Sequence, residues 1–103
     1  MHAVIFEVLP SEGRKQDYLE MASTLLPRLE RVDGFISIER FESISQPGKV
    51  LSLSFWRDDT AIQEWRQIEL QRAAQARGGG GIFKDYRLRV ATVVRDYGMT
   101  HSS

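Results

Sequence analysis

The chain contains no cysteine, which removes disulfides, thiolate nucleophiles and cysteine-held metals from any account of its stability or chemistry. Its two histidines, His2 and His101, lie near opposite termini with no helical pair spacing, so an imidazole metal site is not expected either. A surplus of charge is also missing, since 14 Lys and Arg balance 14 Asp and Glu. Without it there is no bulk pull toward nucleic acid or an anionic membrane, and neither is expected as a partner. No apolar run approaches the ~20 residues of a membrane span. The first residues lack a basic segment and meet Glu7 before a signal-length apolar stretch forms. A cytoplasmic location is therefore the expectation. Gly78 to Gly81 lack the Lys-Ser/Thr of a phosphate loop and follow a helical pattern rather than a strand, so they are expected to be a connection. There is no Gly-x-Ser-x-Gly elbow of a serine hydrolase.

Apolar residues make up 42% and charged residues 27% of 103 positions. Such a mixture is that of an ordinary globular domain and sets disorder aside. One domain over 1–98 with a short tail at 99–103 is expected. Ala3 to Leu9 is a β-branched and aromatic run stopped by Pro10, which predicts a first strand. From Lys15 to Val32, Tyr18, Met21, Leu25, Leu29 and Val32 recur at spacings of three and four, which predicts a helix. Pro27 is expected to kink or shorten its last turns, and Asp33-Gly34 to close it. Phe35 to Ser43 and Val50 to Trp56 predict two strands joined by a turn at Gln46-Pro47-Gly48. Asp58, Asp59 and Thr60 are all N-cap residue types, and Thr60 with Gln63 fits a capping box, opening a second helix over about Ala61 to Ala76. Phe83 to Tyr97 predicts a long last strand.

The order strand, helix, strand, strand, helix, strand is that of an α+β, ferredoxin-like βαββαβ fold with a four-stranded antiparallel sheet. Each strand carries apolar residues on both alternating sets. Val4, Phe6 and Val8 stand against Ile5 and Leu9; Phe35 and Phe41 against Ile36 and Ile38; Val50 and Trp56 against Leu51, Leu53 and Phe55. Two helices on one side cannot bury both sets, which predicts a homodimer packed through the open sheet face.

Gly34-Phe35, the stretch Ser54 to Asp59, Trp65, Arg72-Ala73-Ala74-Gln75 and the closing run Asp85 to Ala91 together resemble the antibiotic biosynthesis monooxygenase family. That resemblance implies a dimeric α+β barrel. It also implies a monooxygenase without flavin, haem or metal, acting with molecular oxygen on a small aromatic substrate of phenolic, hydroquinone or anthrone type. The alternative is a non-catalytic dimer of the same fold that binds a small ligand or serves in a stress response. Many relatives resembling this chain carry a histidine on the second helix where Gln71 stands, and haem-degrading relatives use an Asn on the first strand, a region that here holds Glu7. Without the axial imidazole, haem degradation is not expected. Glutamine can donate and accept a hydrogen bond but cannot act as a base near neutral pH.

Five residues are the candidate site. The resemblance places Trp65 beside a pocket between helices and sheet, where an indole can stack on a ring and donate one hydrogen bond; its alternative role is to fill the core. Arg40 and Arg87 could stabilise a substrate anion, or like Arg89 simply pair with Glu39, Glu42 or Asp85. Gln71 and Tyr86 could position a substrate hydroxyl. Trp56, at a strand end, is expected to serve packing or the dimer contact.

Overall fold

In the computed structural model the chain follows the order β1 (His2–Pro10), α1 (Lys15–Glu30), β2 (Phe35–Glu42), β3 (Val50–Trp56), α2 (Asp59–Ala76) and β4 (Phe83–Thr92). It describes residues 1–76 and 82–99, with the side chains of 69–76 left out. Gly78 to Gly81 and the end of the expected tail lie outside the described residues. The strands form one antiparallel sheet ordered β2-β3-β1-β4, the ferredoxin-like arrangement expected from the sequence.

Alternation along the strands decides which side chains meet the helices. Val4, Phe6 and Val8 of β1 and Val50, Ser52, Ser54 and Trp56 of β3 are buried, whereas Ile5, Leu51, Leu53 and Phe55 on the intervening positions stay partly open. From α1, Tyr18, Met21, Ala22, Leu25 and Leu29 close over this layer; from α2, Ala61, Ile62 and Trp65 do. Both helices thus cover one face and leave the other uncovered.

Several features differ from expectation, each for a physical reason. Pro10 ends β1 as expected, but as its last paired residue, opposite Phe83, at a register shift after Leu9 where a missing N–H is tolerated. β4 ends at Thr92 rather than Tyr97, because it pairs with β1 and that partner runs out: Thr92 stands opposite His2, and Val93 N–H donates to the Met1 carbonyl at 3.0 Å. α1 continues through Pro27, which is exposed, and ends at Glu30. On β2 a bulge between Phe35 and Ser37 inserts Ile36, so Phe35 and Phe41 fall on opposite faces instead of sharing one. Phe35 faces Trp56, with ring centroids 5.2 Å apart, while Phe41 stands opposite Leu51 on the open side.

Gly34 does not cap α1, whose C-terminal residue Arg31 is right-handed. It occupies the third position of a turn closed by Phe35 N–H to the Val32 carbonyl, with φ +98°. A Cβ there would sit 3.0 Å from the Ala61 Cβ. Gly34→Ala is expected to destabilise the chain by about 1–3 kcal/mol through left-handed strain and that contact. A denaturant midpoint unchanged from wild type would contradict this.

Candidate functional site

The helix-facing side of the sheet is organised in rows set by strand register. Arg40 on β2 stands opposite Ser52 on β3, Ser52 opposite Phe6 on β1, and Phe6 opposite Leu88 on β4. Trp65 descends onto this row from α2. Its ring lies edge-on to Phe6, centroids 5.9 Å apart at 87°, and tilted against Trp56 at 6.1 Å. Trp65 is fully buried, yet its indole N–H finds no acceptor among the described residues. Trp56 is also fully buried, but its N–H donates to Ser54 Oγ at 2.8 Å. Trp56 is therefore a satisfied packing residue. Tyr86 reaches the same layer from β4, with its ring 5.7 Å from Phe6, and remains 47% exposed at the sheet margin. Trp65 and Tyr86 thus both pack on Phe6.

Arg40 joins them on this side without any of the ion pairs considered for it. Its Nε and Nη2 atoms are buried with no partner among the described residues, and so is the Ser52 hydroxyl across the ladder. Glu42, two residues along β2, is engaged elsewhere: Lys15 Nζ donates to it at 2.6 Å and the Gly48 N–H at 3.3 Å. Glu39 lies on the opposite face, across from Leu53.

Arg87 and Arg89 face away from Trp65. Both flank Glu7 on the open face, where Arg89 donates to Glu7 at 2.6 Å and Lys49 approaches it at 2.7 Å. Arg87 lines a hollow of about 230 Å³ with Glu7, Leu9 and Asp85. Glu7 itself is turned away from Trp65, and Phe6 is the β1 side chain beneath the indole. Gln71 belongs to α2, but its side chain lies outside the described residues.

The run from Arg57 to Asp59 builds the corner that holds α2 in place. Arg57 donates to both oxygens of Asp33, at 3.1 and 3.0 Å, and to Asp58 at 3.0 Å. The other Asp58 oxygen accepts the Ala61 N–H at 3.1 Å, so Asp58 caps the helix. The expected Thr60–Gln63 box does not form; Gln63 donates to Asp59 instead, at 2.9 Å. The Arg57 hydrogen bonds hold the Asp33 carboxyl below its usual range, and the Ala61 N–H followed by Arg57 does the same for Asp58. Lys49 lowers Glu7 and Lys15 lowers Glu42. Carboxyls with depressed folded values contribute stability above their unfolded pKa of about 4, and it is lost as pH falls through the folded values. The melting temperature is expected to hold from neutral pH to about 5 and decline below about 4. Arg57→Met should flatten part of that decline, and an identical pH profile for the variant would contradict the assignment.

Sequence reasoning passed over Ser52, and the signal for it was present: it occupies the buried alternate set of β3, between Val50 and Trp56, where a polar residue is unusual. Arg57 was likewise read only as part of a motif. No three His, Cys, Asp or Glu residues gather as a metal set among the described residues, and no described helix is long and apolar enough to cross a membrane.

The sequence profile of the antibiotic biosynthesis monooxygenase family matches residues 1–77. The chain is 45% identical over 93 residues to the jasmonate monooxygenase ABM of Pyricularia oryzae, an alignment covering 90% of this chain and 43% of that protein. It therefore spans less than half the length of that relative. Protein YqjZ of Bacillus subtilis is 30% identical over 94 residues, 91% of this chain and 80% of the relative. Among solved structures, Rv0793 from Mycobacterium tuberculosis superposes with a TM-score of 0.76 at 19% identity, over 94% of this chain and 98% of that one. At that identity the likeness carries the fold.

Proposed function

The chain belongs to the antibiotic biosynthesis monooxygenase family, and from that membership we propose that it oxygenates a small, electron-rich ring compound in the layer between helices and sheet. The observation that carries the reading is Trp65, a buried indole packed on Phe6 whose N–H has no acceptor among the described residues. Such a donor inside an aromatic layer suits a substrate oxygen, and the ring beside it suits a planar body.

The chemistry asks for no reductant when the substrate supplies the electrons. An anthrone-type CH₂ flanked by aromatic rings ionises, and its anion passes an electron to O₂. The pair recombines as a carbon-bound peroxide, which breaks its O–O bond and loses water to leave a carbonyl. One oxygen atom enters the product and the other departs as water, so the four electrons of the CH₂ to C=O change balance those taken by O₂. In this scheme Trp65 orients the ring and donates to its oxygen, which favours the anion. Tyr86, on the same side of the sheet, positions a hydroxyl; Gln71 on α2 is the second candidate for that role. Arg87, on the far face, takes no part.

The same reading makes the chain a homodimer through its open sheet face. Ile5, Leu51, Leu53 and Phe55 are only partly covered there, Phe41 is 44% exposed, and a hollow of about 300 Å³ opens between Ile5, Phe41 and Leu51.

Oxygen uptake with a panel of anthrones, dihydroxynaphthalenes and jasmonate, the last for the relative named after it, tests the proposal. Turnover that depends on Trp65 supports it. Binding of panel members with no oxygen consumed would instead favour a ligand-binding role.

A further inference from the structure

We infer that Arg40 and Ser52 form a recognition site for a carboxylate on the substrate, so that the ring compounds this chain takes carry an acid group. That the acid accompanies an oxygen-reactive ring rests on the reading above; the anion site itself does not.

The two unpartnered Arg40 nitrogens, Nε and Nη2, lie along one edge of the guanidinium plane. Their N–H bonds run parallel at a spacing that matches the two oxygens of a carboxylate. A buried donor without an acceptor is costly, and more so when it carries charge. Here two such donors share a permanently charged group, and the Ser52 hydroxyl opposite is a third. The obvious internal partners are committed elsewhere, Glu42 to Lys15 and Gly48, and Glu39 to the other face. Among the described residues the planar cation therefore keeps its paired edge unmet.

Three features narrow the ligand. A phenolate offers one oxygen to an edge that presents two donors. A phosphate dianion calls for more positive charge than the site holds, since Arg40 is the only Lys or Arg on the helix-facing positions of β1, β2 and β3. A carboxylate matches in both geometry and charge. The residue as a whole is partly buried and sits on β2, an edge strand, while Nε and Nη2 are themselves closed from solvent, so an anion reaches them from the sheet margin only when the side chains over that edge give way.

Position in the row separates recognition from reaction. Arg40 and Phe6 are two strand spacings apart, roughly 10 Å, with Ser52 on the strand between them. Phe6, Ser52 and Trp65 are closed from solvent, so a bicyclic ring anchored by its carboxylate at Arg40 reaches Phe6 and Trp65 only by displacing the helix side chains that cover Ser52. Arg40 then fixes register and selects acids, while the oxygen-reactive end of the ring is placed beside the indole.

The test is anaerobic binding of 1,4-dihydroxy-2-naphthoate and of 1,4-dihydroxynaphthalene, followed by tryptophan fluorescence and calorimetry. The acid is expected to bind wild type at least tenfold more tightly than the neutral diol. Arg40→Gln should erase that preference and leave the affinity for the diol within twofold. Arg40→Lys, which keeps the charge and loses the paired edge, should fall between. Equal binding of the two compounds by wild type, no binding of the acid, or a preference that survives Arg40→Gln overturns the site. A second readout needs no variant: benzoate should displace the dihydroxynaphthoate and benzamide should not, and displacement by both overturns the site as well. Oxygen uptake is read separately in air. Acid-selective binding without uptake keeps the anion site and removes the oxygenase reading, whereas uptake with no preference for the acid keeps the oxygenase and removes the anion site.

Discussion

Trp65→Phe is expected to lower oxygen turnover by tenfold or more while leaving the fold nearly as stable as wild type. The substitution keeps an aromatic ring between Phe6 and Trp56 and removes one N–H. Among the described residues that donor is unpaired, so deleting it breaks no hydrogen bond between them and lifts the penalty of an unmet buried donor. A purely structural tryptophan would therefore show little change in activity beyond the small change in packing. A catalytic one would lose the contact that stabilises the substrate anion, and a single such donor is worth about 10²–10³ in turnover in well-studied sites. Trp65→Ala is the harsher companion. It empties a fully buried site and should cost about 3–5 kcal/mol, a large part of the 5–15 kcal/mol available to a domain of this size. Its loss of activity is interpretable only beside an unfolding curve. Oxygen electrode traces and thermal melts on both variants decide the matter: full turnover by Trp65→Phe would make the indole a packing residue and nothing more.

Where sequence and structure agree, the reason is periodicity. β3 carries a strict alternation from Val50 to Trp56 and was legible to the residue, as was the start of α1 at Lys15, which follows Gly13 and opens the three-and-four spacing. Where they differ, the deciding partner is distant in sequence. The length of β4 depends on where β1 begins, a fact located some 90 positions away. The side of Phe41 depends on a bulge at Ile36, and which of the candidate caps Asp58, Asp59 and Thr60 opens α2 depends on Arg57, which bonds both Asp58 and Asp33. No local pattern encodes these.

The candidate site divides along the same line. Trp65 and Tyr86 were legible as aromatic residues on a helix and a strand, and the structure packs both rings against Phe6. Arg40 and Arg87 looked equivalent in sequence, each an arginine inside a strand. Register separates them: Arg40 pairs with Ser52 on the covered face and Arg87 with Glu7 on the open one. The unmet Arg40 edge could not be read from sequence, because it depends on Glu42 being held by a lysine 27 residues away.

Leu53→Arg is expected to convert a dimer into a monomer that remains folded. Leu53 lies on the open face between Ile5 and Glu39 in the ladder and is only partly covered within one chain. The introduced guanidinium can stay hydrated in a monomer, so the isolated fold should tolerate it. Packed against a second sheet, it would be a buried charge without a partner, a penalty of about 3–5 kcal/mol. Each copy therefore weakens the dimer by roughly two to four orders of magnitude in its dissociation constant, and a symmetric dimer carries two copies. Of the acids on that face, Glu7 is already shared by Lys49 and Arg89, whereas Glu39 stands opposite Leu53 and can pair with the guanidinium, so the test variant combines Leu53→Arg with Glu39→Gln. Sedimentation at micromolar concentration, with far-UV dichroism as the folding control, reads the result. Wild type sedimenting as a monomer would remove the dimer proposal, and a variant that stays dimeric would move the interface to another surface. If the open face is the interface, the site beside Trp65 lies wholly on the other side of the sheet from it. The monomeric variant should then keep its affinity for ring compounds, which separates assembly from binding in a single protein.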